Sequence, residues 1–100
     1  MNIMWTKLAQ SDLINLANYF NNPARFKQFI LRIFGANKVL AETPSKGKIS
    51  WVFGTKSISL KDCPYVIFYR IWEDEFQILR ILHKTKVDTG FKGFKLIDDL

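Results

Sequence analysis

The chain has one cysteine, one histidine and three prolines among its 100 residues. A lone Cys63 can close no internal disulfide and can build no thiolate metal site. His83 has no second histidine to join it, so no His-based metal site can form, and neither metal nor cofactor is expected. Cys63 lies between Asp62 and Pro64 at the entrance to a strand, where it reads as a small strand-edge residue rather than a nucleophile. No apolar run approaches the roughly 20 residues that a membrane span needs, so no membrane association is expected. The opening "MNIMWTKLAQSD" lacks a charged region followed by an apolar one, and a cytoplasmic protein is the expectation. "FGTKS" lacks the spacing of a phosphate-cradling P-loop, and no Gly-x-Ser-x-Gly elbow is present. Acids are scarce in the middle of the chain. Between Pro44 and Trp72, Lys46, Lys48, Lys56, Lys61 and Arg70 are set against Asp62 alone.

What is present points to a folded domain. Hydrophobic residues make up 48% and aromatics 15%, too many for a disordered chain. A length of 100 residues suits one domain with a real core. That domain is expected over residues 1–86, with residues 87–100 a tail packed on it or extending from it. The net charge of +6 favours polyanions or acidic proteins as partners and selects neither. The acids that exist are clustered, at Glu73, Asp74 and Glu75 and again at Asp98 and Asp99.

Asn2 to Trp5 reads as a short first strand. From Leu8 to Phe20, Ala9, Leu13, Leu16, Ala17 and Phe20 recur at spacings of three and four, which predicts a helix with one buried stripe. Thr6 suits its N-cap. Asn22 and Pro23 then offer a cap and a first helical residue for a second helix, Pro23 to Leu40. Its stripe is Phe26, Phe29, Ile30, Ile33, Phe34 and Leu40, and Thr43 and Pro44 end it. The short link predicts an antiparallel helical hairpin. "ISWVF" and "KSISL" form either one bent strand or a strand pair around Gly54. Val66 to Ile71 and Phe76 to Leu82 are the clearest strands, with Trp72 to Glu75 as their turn. The expected fold is α+β: an N-terminal strand and an antiparallel two-helix hairpin packed on one face of a three- to four-stranded antiparallel sheet. The other face can stay open to solvent or a partner.

If Glu73 and Asp74 form the turn, Arg70 lies opposite Gln77, Phe68 opposite Leu79 and Val66 opposite Ile81, with Arg80 on the other face near Ile67. A charge within a strand is costly unless paired or exposed. The two arginines therefore either pair with helix or tail acids or join a functional face. His83 is either a general base or a hydrogen-bonded structural residue. Lys46, Lys48, Trp51, Lys56, Arg70, Arg80, Lys84 and Lys86 can line one sheet face, where cations hold phosphates and Trp51 stacks a base. A solvated basic face has the same composition.

The strings "WTKLAQSDLINLANYF", "NPARFKQFILRI", "P-x-x-G", "FGTKSISL", "PYVIFYRI" and "FQILRILH", in this order, resemble the RelE/ParE superfamily of type II toxins over roughly residues 4 to 86. The resemblance implies a bacterial toxin, plasmid-borne or chromosomal, with the same helical hairpin on a sheet. It also implies a hetero-oligomer with a cognate antitoxin, which contributes an acidic segment that is disordered until bound. RelE-like members cut mRNA on the ribosome, and ParE-like members poison DNA gyrase. "PYVIFYRI" followed by "ILRILH" looks closer to ParE, and no tyrosine follows Tyr69 to match the one that RelE-like ribonucleases carry near their end. Lys86 stands where ParE-like chains often have Arg. The expectation is a ParE-like toxin whose partner-binding residues are Lys46, Lys48, Trp51, Lys56, His83, Lys84 and Lys86. Two alternatives remain. One is a ribosome-dependent mRNA endonuclease using Lys46, Lys48, Arg80 and Lys86. The other is a non-toxic binding module of the same fold.

Overall fold

The computed structural model describes residues 2–43, 47–49, 54–59 and 63–86. The tail 87–100, Lys46 and Trp51 lie outside the described residues. Strand β1 (Asn2–Trp5) leads into helix α1 (Lys7–Phe20) and helix α2 (Pro23–Glu42). Strands β2 (Lys48–Ile49), β3 (Lys56–Ser59), β4 (Tyr65–Trp72) and β5 (Glu75–His83) follow, and a 3₁₀ turn, Lys84–Lys86, ends the described chain.

Both helices start where local chemistry directs. The Thr6 side chain accepts the Ala9 amide, and the Asn22 side chain accepts the Arg25 amide ahead of Pro23 at the first helical position. Asn21, in the left-handed conformation at φ 45°, ends α1. At the end of α2 the Thr43 amide and hydroxyl both donate to the Val39 carbonyl, at 2.9 Å each. Ala9, Leu16, Phe29, Ile33 and Leu40 face the sheet in the buried core, as the two stripes predict. Phe34 departs from its stripe: it is half-exposed and meets the Trp5 ring edge-on at 5.7 Å. Asn37, one turn beyond Ile33, takes the buried position instead.

The sheet has five strands in the order β1-β5-β4-β3-β2. It is mixed, because β1 pairs with β5 in parallel while the other neighbours are antiparallel. This enlarges the expected antiparallel sheet. Parallel pairing needs a long crossover, and the intervening chain with its helical hairpin supplies one. Of the two readings of "ISWVF" and "KSISL", the described residues show a strand pair, with Lys48 and Ile49 of β2 against Ser57 and Lys56 of β3. Gly47, just before β2, is required by sterics. The Tyr69 ring lies so close that a Cβ there would stand 2.6 Å from the ring carbon bearing the hydroxyl.

The β4–β5 hairpin turns at Glu73 and Asp74, both at positive φ, 49° and 61°. That pair of angles marks a type I′ turn. Arg70 faces Gln77 as predicted, but the register slips between Phe68 and Tyr69. Phe68 is therefore opposite Arg80 rather than Leu79, and Val66 is opposite Leu82 rather than Ile81. Leu79 is the extra residue of a β-bulge. Helix α1 satisfies the backbone there. The Thr6 hydroxyl donates to the Leu79 carbonyl at 3.0 Å, and the Ile81 amide donates to Asp12 Oδ2 at 3.0 Å.

Tyr65, Ile67 and Tyr69 of β4 face the helices within the core. The alternate residues Val66 and Phe68 are buried as well, so the face away from the helices is not open at these positions. "YVIFY" is a continuous apolar run, the pattern of a strand covered on both sides.

Candidate functional site

Two adjoining grooves, of about 420 and 540 Å³, share the walls Tyr19, Tyr65 and His83. They lie where the helical hairpin meets the open end of the β4–β5 hairpin, with Tyr65 directly opposite His83. Cys63 and Pro64 line the first groove, and Arg25, Gln28 and Arg32 of α2 line its helical side. The second groove runs past Asn15, Thr85 and Lys86. Tyr19 is 79% exposed on the last turn of α1 and forms the common rim.

An aromatic file fixes the floor. Ring centroids step from Phe26 to Phe20 at 5.8 Å, to Phe29 at 5.2 Å, to Tyr65 at 5.1 Å and to His83 at 5.3 Å. The last step is nearly perpendicular, at 87°, a favoured aromatic geometry. Burial, followed by the charges of Tyr19 and Cys63, pushes the Tyr65 phenol above its usual range. Tyr65 thus stays protonated at neutral pH.

The Thr85 amide donates to His83 Nδ1 at 3.2 Å, and the Thr85 hydroxyl lies 2.9 Å from the same nitrogen. A backbone N–H can only donate, so Nδ1 accepts and the neutral ring carries its proton on Nε2. The amide already engages the Nδ1 lone pair, so the Thr85 hydroxyl braces a turn and is not set up as a nucleophile against a base. The Lys84 amide anchors this turn to the Pro64 carbonyl at 2.8 Å. His83 is thus hydrogen-bonded within this turn, and its ring forms part of the groove wall.

The other predicted cations divide among separate places. Lys84 and Lys86 are exposed on the turn after β5, beside the groove. Lys48 and Lys56 lie on β2 and β3, two or three strands from β5, which is about 10 Å or more. Lys56 is opposite the helix-facing Tyr69, whereas Lys48, opposite Ser57 and through it Phe68, is on the other face. Arg80 is held by Asp12 through two contacts, Nε to Oδ2 at 2.8 Å and Nη2 to Oδ1 at 2.9 Å. Of the two readings of Arg80, pairing with a helix acid is the one observed. Arg70 lies elsewhere, next to Gln77 and Trp72. Among the described residues no cluster of His, Cys, Asp or Glu could hold a metal ion. Among the described residues no helix is long and apolar enough to cross a membrane.

Sequence reasoning passed over Tyr19, Arg25, Arg32 and Asp12. A signal existed for Asp12, which lies three residues after Ala9 and four before Leu16 and so falls on the buried stripe. Tyr19 lies two turns beyond Asp12 on the same side of α1, and its exposure at the end of the helix has no signal in the spacing.

The family model described as "ParE toxin of type II toxin-antitoxin system, parDE" matches residues 3–87. Over 83 residues the chain is 34% identical to the Sinorhizobium fredii protein named "Putative toxin Y4kP", covering 81% of this chain and 85% of that one. It is also similar to a solved structure titled "Chromosomal ParDE TA system from P. aeruginosa", with a TM-score of 0.75 and 26% identity. That match covers 83% of this chain and 95% of the other.

Proposed function

The chain belongs to the ParE toxin family of type II toxin–antitoxin systems, and we propose that it is held inactive by an acidic cognate antitoxin and inhibits DNA gyrase when free. The observation that supports this reading is the dispersal, among the described residues, of the cations that the endonuclease alternative would use. Phosphoryl-transfer chemistry on RNA needs several donors converging on one phosphate. Here Arg80 is neutralised by Asp12, Lys48 and Lys56 point to opposite faces, and Lys84 and Lys86 stand exposed at the far end of the sheet. A protein that acts by binding needs a surface, not convergence.

The groove suits the antitoxin. It combines aromatic walls with Arg25, Arg32 and Lys86. Ile14 of α1 and Leu31 of α2 add exposed apolar anchors on the hairpin. An extended or helical segment carrying alternate acids and apolar residues matches both features. Charge complementarity of this kind speeds encounter and makes it salt-sensitive.

The test is induction of the chain in cells with parallel readouts of DNA supercoiling and of mRNA integrity, followed by supercoiling assays with purified gyrase. We expect gyrase inhibition with ribosome-bound mRNA intact. Lys84→Ala and Lys86→Ala should each weaken the effect by degrees, because binding energy is spread over several contacts. Site-specific mRNA cleavage abolished by Lys48→Ala alone, in a folded protein, would replace this reading with the endonuclease one.

A further inference from the structure

The first groove offers a partner hydrogen-bond donors and few acceptors. No Asp or Glu is among the described residues that line it. The carbonyl of Pro64, on its wall, already accepts the Lys84 amide at 2.8 Å. Asp12 of the adjoining groove is taken up by Arg80 and the Ile81 amide. Among the described lining residues, Gln28 is the side chain left with a carbonyl oxygen.

Donors stand on the walls instead. Arg25 is exposed on the first turn of α2, and among the described residues its guanidinium makes no ion pair. The Tyr65 hydroxyl feels the charges of Tyr19 and Cys63, both groove residues, which places the phenol end of the ring at the groove. It keeps its proton at neutral pH and can donate. His83 is the most constrained of the three. Its Nδ1 accepts the Thr85 amide at 3.2 Å, so the neutral ring carries its proton on Nε2. Nε2 lies across the ring from Thr85, and at that edge the neutral ring can only donate. Between these donors the rings of Phe20, Phe29 and Tyr65, at centroid steps of 5.2 and 5.1 Å, make the wall apolar.

This pattern fits a peptide better than a nucleic acid. A nucleic-acid strand needs cations tracking its successive phosphates. Here the arginines of the groove, Arg25 and Arg32, stand about two turns apart on one helix, and the rest of the wall is largely aromatic. A carboxylate presents acceptors alone and matches a guanidinium in two parallel hydrogen bonds. A carboxamide in its place turns an NH2 group toward the same donors.

We propose that the first groove selects an acidic side chain flanked by apolar ones on a partner polypeptide. Arg25 takes the carboxylate. Tyr65 and His83, the latter held in its donor form by Thr85, donate to carbonyl oxygens of the segment, and the aromatic wall takes the apolar neighbours. The identity of that partner as an antitoxin rests on the toxin reading, whereas the recognition chemistry does not.

The test titrates the isotope-labelled full chain at fixed ionic strength with acetyl-Phe-Glu-Phe-amide, with its Gln counterpart, and with decauridylate as the phosphate probe. NMR follows the His83 ring nitrogens and the Arg25 Nε–Hε group. The Glu peptide should shift both saturably and bind about tenfold or more tightly than the Gln peptide, as a charge-assisted pair predicts. Arg25→Gln should erase that preference and leave the melting temperature unchanged, because the side chain is exposed. Tyr65→Phe should weaken both peptides alike, by about threefold, as loss of one neutral hydrogen bond predicts. The proposal is overturned by a His83 that carries its proton on Nδ1, by resonances that the Glu peptide leaves unmoved, or by equal affinity for the two peptides. A preference that survives Arg25→Gln, or a stronger response to decauridylate, overturns it as well. Supercoiling assays on the wild-type protein judge the toxin reading separately, so either can fail alone.

Discussion

Asp12 serves three donors with one carboxylate. It takes the Arg80 guanidinium in two contacts and the Ile81 amide in a third. Its neighbour in function is Thr6, whose hydroxyl accepts the Ala9 amide and donates to the Leu79 carbonyl. The irregular stretch of β5 is thus closed by two side chains flanking the start of α1. Removing the acid takes a bidentate partner from a largely buried cation and the acceptor from a buried amide. Asp12→Ala should therefore cost about 3 kcal/mol, a melting drop on the order of 10–20 °C for a domain this small. Adding Arg80→Met to that variant should restore part of the loss by removing a largely buried charge that has lost its carboxylate. Calorimetry of the three variants checks this, and an Asp12→Ala protein within about 0.5 kcal/mol of the wild type would refute it. The sequence left Arg80 with two open roles because its partner lies far away in the chain. The acid on the stripe was the clue, since a carboxylate at a core position must have a partner.

At the level of elements, both helices and the β4–β5 hairpin were legible because their signals are local. Stripe spacing, Thr6, Asn22 and Pro23 all act within one or two turns. The bulge at Leu79 was not legible, because "FQILRIL" shows apolar residues on either register and only contact with α1 decides between them. The parallel seating of β1 was equally hidden, being fixed by residues more than 70 positions away. The turn is a case where local chemistry and fold disagree. Glu73 and Asp74 adopt positive φ, which costs L-residues with a β-carbon about 1 kcal/mol each. Asn-Gly is the pair that a type I′ turn prefers. Replacing Glu73 with Asn and Asp74 with Gly should raise stability by about 1 kcal/mol, partly offset by the greater freedom of glycine in the unfolded chain. Urea unfolding should show a higher midpoint at an unchanged slope. A lower midpoint would mean that the acids contribute more at this tip than the strained angles cost.

Seen whole, the molecule places its candidate groove at the open end of the β4–β5 hairpin, with Tyr65 in the groove wall and Tyr69 buried further along β4. The sequence supplied the basic residues but not their grouping, because strand order sets which cations are neighbours, and Lys48 and His83 are on non-adjacent strands. The buried tyrosines make the stability of the fold depend on alkaline pH. Burial raises the Tyr65 pKa above 10.0, helped by Tyr19 and Cys63. Burial also raises that of Tyr69, against a lowering hydrogen bond with the Gly47 backbone. A raised folded value means that the folded state holds its phenol protons after the unfolded chain has begun to lose them. The contribution is fully present below the unfolded value of 10.0 and is lost as pH rises through the folded one. Unfolding free energy should therefore be insensitive to these groups at neutral pH and fall above about pH 10, by up to about 1.4 kcal/mol per pH unit for each tyrosine still protonated in the fold. Tyr65→Phe removes one of the two groups while keeping the ring between Phe29 and His83. Its stability curve should match the wild type's slope at pH 7–9 and fall less steeply above pH 10. Chemical denaturation at a series of pH values measures both slopes. Parallel curves through the alkaline range would show that Tyr65 ionises in the fold as easily as in water, and that the groove floor is wetter than its packing implies.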